Sequence, residues 1–547
     1  VDRAEAGAGL VSDPSETAQT PDETPAQALL DAAIALHKQG QLQPAAAAYQ
    51  EVLRLDTANA GALHGLGLVA QQTGQFDLAV DLISQAIAID PHVAGMYANR
   101  GLALGALGRL EEAAADHARA TALAPGLAPA HFNLAGALRS LGRLEEALQS
   151  YDRALALQPR PDAHTDRGAV LEALGRLDEA VAAYDRALAL APGQLAAWFN
   201  RGNALKKLKR LAPAIASYER AIALAPDFAM AHYNLAVCLL LEERFERGLA
   251  EYEWRKRAPD FSDNRVLPGP ALSPGDDLQG KTLFIYPELF LGDVIQFGRY
   301  ARLAEQRGAK VVLAAPAALH ALLRTLGPGI ELVARDAEPA GFDYHCALLS
   351  LPLAFGTTPE TIPAEVPYLR ADPARAQTWR RRLGGDGFKV GVCWQGSTQA
   401  YAAPMQRSFP LAELRGIARI PGLRLISLQK RDGLDQLEAL PAGMAVETLG
   451  EDFDAGPDAF LDAAAVMASC DLVISADTAT AHLAGALGVP TWIALPFVPD
   501  WRWLLDRSDS PWYPSVRLFR QGSQGDWAGV FADMAAALAA EAARRWT

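Results

Sequence analysis

The 547-residue chain predicts an all-α superhelix of paired helices followed by an α/β region built as two doubly wound domains. Three observations lead there. One motif recurs at near-constant spacing through residues 26–257. From residue 281 on, apolar runs of strand length alternate with helix patterns. Between them, APDFSDNRVLPGPALSPGDDLQG (residues 258–280) interrupts both patterns with four prolines and three glycines and reads as a linker.

The first 25 residues, rich in Ala, Pro, Thr and acids, predict a disordered tail without the basic start or apolar centre of a signal peptide. A formal charge of −14 argues against a nucleic-acid partner. The longest uncharged stretch, Thr478–Pro499, has the length of a membrane span, but its glycines, prolines and strand-like second half argue against one. Cys238, Cys346, Cys393 and Cys470 stand far apart, with no zinc or redox spacing, and read as buried thiols of a cytoplasmic protein.

The repeat is marked by KQGQL, QTGQF, ALGRL, SLGRL, ALGRL, KLKRL and EERF, centred on Gly40, Gly74, Gly108, Gly142, Gly175, Lys209 and Glu243. Every step is 34 residues except one of 33. The second helices end in AIAID-P, ATALA-P, ALALQ-P, ALALA-P and AIALA-P, where proline stops the helix. Period and pattern resemble the tetratricopeptide repeat, or TPR, in about seven units. The resemblance implies a superhelix with a concave surface for a peptide or protein.

Inside the first helices, Asn99, Asn133, Asp166, Asn200 and Asn234 recur at steps of 34, 33, 34 and 34. An Asn ladder on one face could clamp an extended acceptor backbone through amide donors and acceptors; a solvated face is the plainer reading. The ladder also resembles that of O-GlcNAc transferases, whose repeats hold protein substrates. His131, His164 and His232, two residues before ladder positions, and His117, at the place of Tyr151 and Tyr184, read as packing residues.

The α/β part divides into residues 281–375 and 376–547. Ligands of doubly wound sheets sit beyond the carboxyl ends of the strands, which singles out three loops. The loop after KTLFIY carries Asp293, either a helix-capping acid or a general base. The loop after FKVGVCW, QGSTQAYAAPMQRSF, carries Arg407, and the next strand ends in Gln429-Lys430. The loop after DLVIS opens a helix with Asp477-Thr478-Ala479-Thr480; its free amides and dipole suit a phosphate, or the acid and threonines only cap it. Asp452-Phe453-Asp454 has the form of an Asp-x-Asp metal motif but precedes a helix, so capping explains it and no metal is expected.

LGDVIQF and SADTATAHLAGALG resemble the heptosyltransferase-like family of GT-B glycosyltransferases, whose fold pairs two Rossmann-like domains. The resemblance implies a catalytic base at Asp293 and a donor site including Gly292, Asp477, Thr478 and His482. With Trp394, Arg407, Gln429, Lys430 and Thr480 it completes the expected donor set, with no cofactor beyond a nucleotide-sugar co-substrate. DWRWLLDRSDSPWYPSVRLFRQ is similar to the end of bacterial proteins that fuse TPR repeats to this domain, some of which glycosylate flagellin. Two departures stand out: Phe290 replaces a usual Gly, and basic residues are thin in STQAYAAPMQ.

These readings make the chain an inverting, metal-independent protein O-glycosyltransferase with flagellin among its candidate acceptors. Two alternatives stay open: a TPR scaffold with an inactive transferase-like domain, and a heptosyltransferase-like enzyme acting on lipopolysaccharide.

Overall fold

The computed structural model describes residues 25–258, 265–288, 290–337, 339, 341–397 and 407–545. The expected tail, residues 259–264 of the linker and residues 398–406 of the Arg407 loop lie outside the described residues. The chain divides into two compact units, one ending at Arg210 and the other starting at Leu211.

The first unit is helical: α1 (Pro25–Lys38), α2 (Leu42–Leu55), α3 (Ala60–Gln72), α4 (Phe76–Ile89), α5 (Ala94–Ala106), α6 (Leu110–Leu123), α7 (Ala128–Ser140), α8 (Leu144–Leu157), α9 (Pro161–Ala173), α10 (Leu177–Leu190) and α11 (Leu195–Lys207). From α1 to α10 each odd helix packs on the next even one, and each even helix on the first helix of the following pair. Both the turn and the contact inside a pair follow from small residues. Gly40, Gly74, Gly108, Gly142 and Gly175 all turn with φ of 74° to 77°, the left-handed region that Gly enters without cost. At Gly108 the cap is a Schellman motif: Arg109 N–H donates to Leu104 O at 2.9 Å and Gly108 N–H to Gly105 O at 3.0 Å. Within pairs, a methyl at Gly168 would stand 2.5 Å from the Tyr184 ring, and one at Gly101 would stand 2.7 Å from His117. Gly at these points lets an aromatic side chain lie directly on the partner backbone. His117 occupies the tyrosine position, and burial pushes its pKa down to about 4.

The aromatic residues two before the ladder have a second job. Tyr97 Oη bonds Pro91 O at 3.3 Å, His131 Nε2 bonds Pro125 O at 3.1 Å, and Trp198 Nε1 donates to Pro192 O at 2.8 Å. The proline that closes one unit thus leaves a carbonyl satisfied by the first helix of the next.

The second unit opens with α12 (Leu211–Leu224), α13 (Ala229–Leu241) and α14 (Phe245–Tyr252). The motif persists here: Glu243 adopts φ 59° without being Gly, and Lys209, at the end of the first unit, adopts 56°. His232 Nε2 bonds Pro226 O at 2.9 Å, repeating the proline tie. A 3-10 turn, Glu253–Arg257, ends the helical run. The next elements are β1 (Thr282–Tyr286), α15 (Leu291–Phe297), α16 (Arg299–Gln306), β2 (Lys310–Ala315), α17 (His320–Leu323), β3 (Ile330–Ala334), β4 (Tyr344–Ala347) and α18 (Leu351–Ala354). They form a parallel sheet of order β3-β2-β1-β4. Part of the linker lies along its β4 edge, with Leu272 N–H donating to His345 O at 2.8 Å.

A connecting helix, α19 (Pro373–Leu383), is capped by Asp372, which accepts Arg375 N–H at 2.7 Å. Then come β5 (Phe388–Cys393), α20 (Arg415–Ala418), β6 (Leu423–Ser427), β7 (Val446–Glu447), α21 (Leu461–Met467), β8 (Leu472–Ala476), α22 (Ala479–Ala486), β9 (Thr491–Leu495), β10 (Val516–Arg520) and α23 (Trp527–Arg545). The second sheet is also parallel, of order β10-β9-β8-β5-β6-β7. Its core includes Val390, Val392, Trp394, Phe409, Ile474 and Phe531. Each such fully buried side chain contributes about 1.5–3 kcal/mol. The α/β architecture therefore holds, with two all-parallel sheets covered by helices.

The topology locates the site. In both sheets the strand order reverses beside the first strand of the sheet, at β1/β4 and at β5/β8. Cys393 pairs with Ser475 across the second reversal. Such switch points open a crevice beyond the carboxyl ends of the strands. The loops leaving β1, β5 and β8 all start there.

Candidate functional site

Asp293 sits at the third position of α15, and its Oδ2 accepts the Phe290 backbone N–H at 3.4 Å, so the capping role read from sequence is real. The other oxygen is engaged elsewhere. Arg502 Nη2 donates to Asp293 Oδ1 at 2.7 Å, while Arg502 Nη1 reaches Asp500 Oδ2 at 3.1 Å. Both the Arg502 and Asp293 side chains are 8 % exposed. Burial raises the Asp293 pKa above the ordinary aspartate value, and Arg502 opposes that rise. The guanidinium lies over the Phe297 ring at 5.2 Å and the Trp501 ring at 5.4 Å.

The β8–α22 turn meets this pair from the second sheet. α15 packs on α22. A methyl at Gly292 would lie 3.1 Å from His482 Cδ2 and 3.4 Å from Ala479 Cα, so glycine is what allows the two helices to touch. Asp477 is buried, and among the described residues its Oδ2 has no hydrogen-bond partner. Arg407 Nη1 stands 4.0 Å from that oxygen and His482 Nε2 3.9 Å from Oδ1, both beyond hydrogen-bond range. Burial raises the Asp477 pKa, and the neighbouring Arg407 lowers it. His482 Nδ1 bonds Tyr513 Oη at 3.1 Å, and its ring stacks on Trp503 at 5.3 Å. Burial, then Arg502 and Arg407, hold His482 well below its ordinary pKa, as a neutral imidazole. Thr478 caps α22 in extended conformation, its Oγ1 3.3 Å from Ser475 Oγ; Thr480 is buried in the first turn. Arg407 also lies over the Phe290 ring at 5.7 Å, which joins the loops of the two sheets.

Of the expected donor set, Gly292, Arg407, Asp477, Thr478, Thr480 and His482 therefore gather with Asp293. Three others have their polar atoms engaged by the second sheet and its loops. Trp394 has no exposed surface: it fills the second core, and its Nε1 donates to Gly433 O at 3.0 Å. Gln429 spends its amide on the loops, with Oε1 accepting Trp394 and Gln395 N–H at 3.1 Å each and Nε2 donating to Gln395 O at 2.9 Å and Asp432 O at 2.8 Å. Lys430 donates to the Phe453 carbonyl. These three serve the second sheet because the ends of β5 and β6 turn sharply and need their own polar ties. In the Asp-x-Asp, Asp454 Oδ1 accepts Asp462 N–H at 2.7 Å, and Asp452 pairs with Arg382 at 2.7 Å.

The ladder divides similarly. Asn99 is 3 % exposed and its Nδ2 bonds His64 Nε2 at 2.9 Å, so it is a buried tie. Asp166 is ion-paired with Arg139 at 2.8 Å. Asn234, in the second unit, is buried. Asn133 and Asn200 are half-buried on α7 and α11. A uniform row of free amides is not what the repeats present, because neighbouring units supply partners for several of them.

Sequence reasoning missed Arg502, Asp500, Trp503, Tyr513 and Gln296. A signal existed: Trp501, Trp503 and Trp512, three of the chain's ten tryptophans, fall within twelve residues. Among the described residues, Gln296 is fully buried with neither amide atom bonded, and Arg502 Nε and Trp501 Nε1 are likewise buried without partners. Unsatisfied polar atoms are uncommon in protein interiors, and a concentration of them is a mark of functional sites. A recess of about 370 Å³ lined by Gly387, Phe388, Gly422 and Asp471 lies at the opposite, amino-terminal ends of β5, β6 and β8.

Tetratricopeptide-repeat family models match residues 64–128, 98–164 and 132–195, residues 195–228, and residues 27–56. The helical repeats are therefore TPR repeats. Protein FlbA of Caulobacter vibrioides is 31% identical over 295 residues, 50% of this chain and 48% of that protein. The chain spans about half the length of this curated relative. Among solved structures, a MamA protein is 26% identical over 30% of this chain and 90% of its own, with a TM-score of 0.28. YrrB, described as a TPR protein with an unusual peptide-binding site, is 23% identical over 34% of this chain and 95% of its own, with a TM-score of 0.31.

Proposed function

We propose that the α/β part is a GT-B-type glycosyltransferase that moves a sugar from a nucleotide-sugar to a Ser or Thr hydroxyl of a protein held by the TPR repeats. Flagellin is one such acceptor under this reading. The single observation that carries it is the packing of α15 on α22, which unites Asp293 with Asp477, His482 and the first turn of α22 at two strand-order reversals. In the reaction, the acceptor hydroxyl gives its proton to Asp293 as its oxygen attacks the anomeric carbon. The bond to the nucleotide phosphate breaks, and the electron pair leaves with that phosphate. The α22 amides and dipole, with Arg407, offset the charge that develops. One displacement inverts the anomeric centre. No metal has a role in this scheme, and the nucleotide-sugar is a co-substrate.

Because Gly292 lies against Ala479, a phosphate reaches the α22 amides only when α15 and α22 part. That contact, with Trp394 and Gln429 committed to the fold, favours one second reading: a TPR scaffold whose transferase-like domain no longer turns over. A thermal-shift screen with UDP, GDP, ADP and CMP separates the two. Under the enzymatic reading one nucleotide stabilises the full chain, and Asp293→Asn keeps that response while losing transfer. Silence toward all four nucleotides supports the scaffold, and undiminished transfer by Asp293→Asn removes Asp293 as the base.

A further inference from the structure

We propose that Arg502 is the positioning residue for Asp293, holding one carboxylate oxygen so that the other is left to take the acceptor's proton; this rests on the transferase reading above. The geometry divides the two oxygens. Oδ1 receives the Arg502 Nη2 bond at 2.7 Å. Among the described residues Oδ2 has only the Phe290 N–H at 3.4 Å, a long contact that leaves it able to accept another proton. A carboxylate that must act as a base needs one oxygen fixed and one accessible, and it needs to stay ionised in a buried place.

Arg502 is itself held so that it cannot follow Asp293. Its Nη1 is bound to Asp500, and its guanidinium carbon sits 5.2 Å from the Phe297 ring and 5.4 Å from the Trp501 ring, beside that stacked pair. Trp501 in turn meets Phe245 and Tyr252 edge-on, with ring centroids 6.1 and 5.9 Å away. The loop beyond is tied by Arg520, whose guanidinium donates to Trp503 O at 2.6 Å and Leu504 O at 3.0 Å. The clamp is therefore rigid at both ends. Around Asp293 the charged groups are Arg502, Asp500 and Glu288, and Asp477 and Tyr252 act on Arg502. Burial of Asp293 favours the neutral acid, and Arg502 is the cation that opposes it.

The test follows the Asp293 carboxyl directly. Infrared spectra of the full-length chain are recorded across acid to neutral pH, and the Asp293→Asn spectrum is subtracted to isolate one carboxyl band. In Arg502→Met and in the more polar Arg502→Gln, the Asp293 midpoint moves up by at least about one pH unit, and Arg502→Lys restores most of the shift. Thermal unfolding identifies which variants fold, so that either neutral replacement suffices. A midpoint that stays where the wild type has it in a folded neutral variant overturns the assignment. A merely structural arginine would also move this midpoint, so the separating readout is the pH profile of transfer: its acid limb moves up together with the Asp293 midpoint in the folded neutral variants, and an acid limb that stays in place also overturns the assignment. The nucleotide screen on the wild-type chain judges the transferase reading separately, since it does not depend on the Asp293 band.

Discussion

Arg502 Nη2 and Asp293 Oδ1 stand 2.7 Å apart although 209 residues separate them in the chain. The contact joins the loop after the first strand of one sheet to the turn after β9 of the other. Both partners are nearly without solvent, so neither charge is hydrated if the other is removed. Arg502→Ala is expected to cost about 3–5 kcal/mol of stability. The double variant Arg502→Ala/Asp293→Ala should cost less than the sum of the singles, because Asp293 is no longer left buried without its cation. Urea unfolding of the four members of the cycle measures this.

His117 makes the first unit acid-sensitive. Burial lowers its folded pKa to about 4, against the ordinary 6.5. The unfolded chain therefore binds the extra proton between those values. Stability from this group is complete above about pH 6.5 and is lost as pH falls toward 4, by about 3 kcal/mol in total. His117→Phe keeps an aromatic ring over Gly101 and should flatten the acid limb of a circular-dichroism stability profile over that range.

Lys209 and Glu243 occupy the left-handed turn that Gly fills in the other units, with φ of 56° and 59°. Their backbone ties are the same: Arg210 N–H donates to Leu205 O and Arg244 N–H to Leu239 O, each at 2.9 Å. A side chain in this region costs about 1–2 kcal/mol, partly offset by the greater freedom of Gly when unfolded. Lys209→Gly and Glu243→Gly should each stabilise by about 1 kcal/mol in denaturant melts.

Gly292 holds α15 against α22. Gly292→Ala places a methyl 3.1 Å from His482 and should cost about 1 kcal/mol, while Gly292→Val should cost about 2–3 kcal/mol by forcing the helices apart. Thermal melts give the ranking. In the same melts, His482→Ala should also destabilise, since it removes a ring stacked on Trp503.

The helical repeats were legible because a 34-residue period repeats one local solution, and each mark has a local cause: Gly40 through Gly175 for the turn, proline for the stop. β1, β2, β5, β8 and β9 were legible because buried parallel strands are continuous apolar runs. The helical stretch after KTLFIY forms two helices, α15 and α16, divided at Gly298, where a methyl would meet Val294 O at 2.7 Å. Asp293 and Asp477 could be picked out from their place after strands. Arg502 could not, since its meaning depends on a partner 209 residues away and on the Phe297 ring of α15. The ties of Trp394 and Lys430 were hidden for the converse reason: a residue at a strand end looks available until the loop folds back and claims its polar atoms. Asn99 looked like a free ladder rung because the His64 that binds it lies one whole unit earlier.

Arg255 is 2 % exposed and grips both carboxylate oxygens of Glu288, at 3.0 and 2.9 Å, with Ser350 Oγ at 2.8 Å closing the cluster. Glu288 lies five residues before Asp293. Repeat arrays lengthen and shorten by whole modules, but a lineage that gained or lost the α13–α14 module would also displace the arginine that seats the β1 loop. Natural variation in array length should thus be confined upstream of Leu211, and a chimera grafting a foreign array onto this domain has its workable seam there, before the composition changes at residue 258.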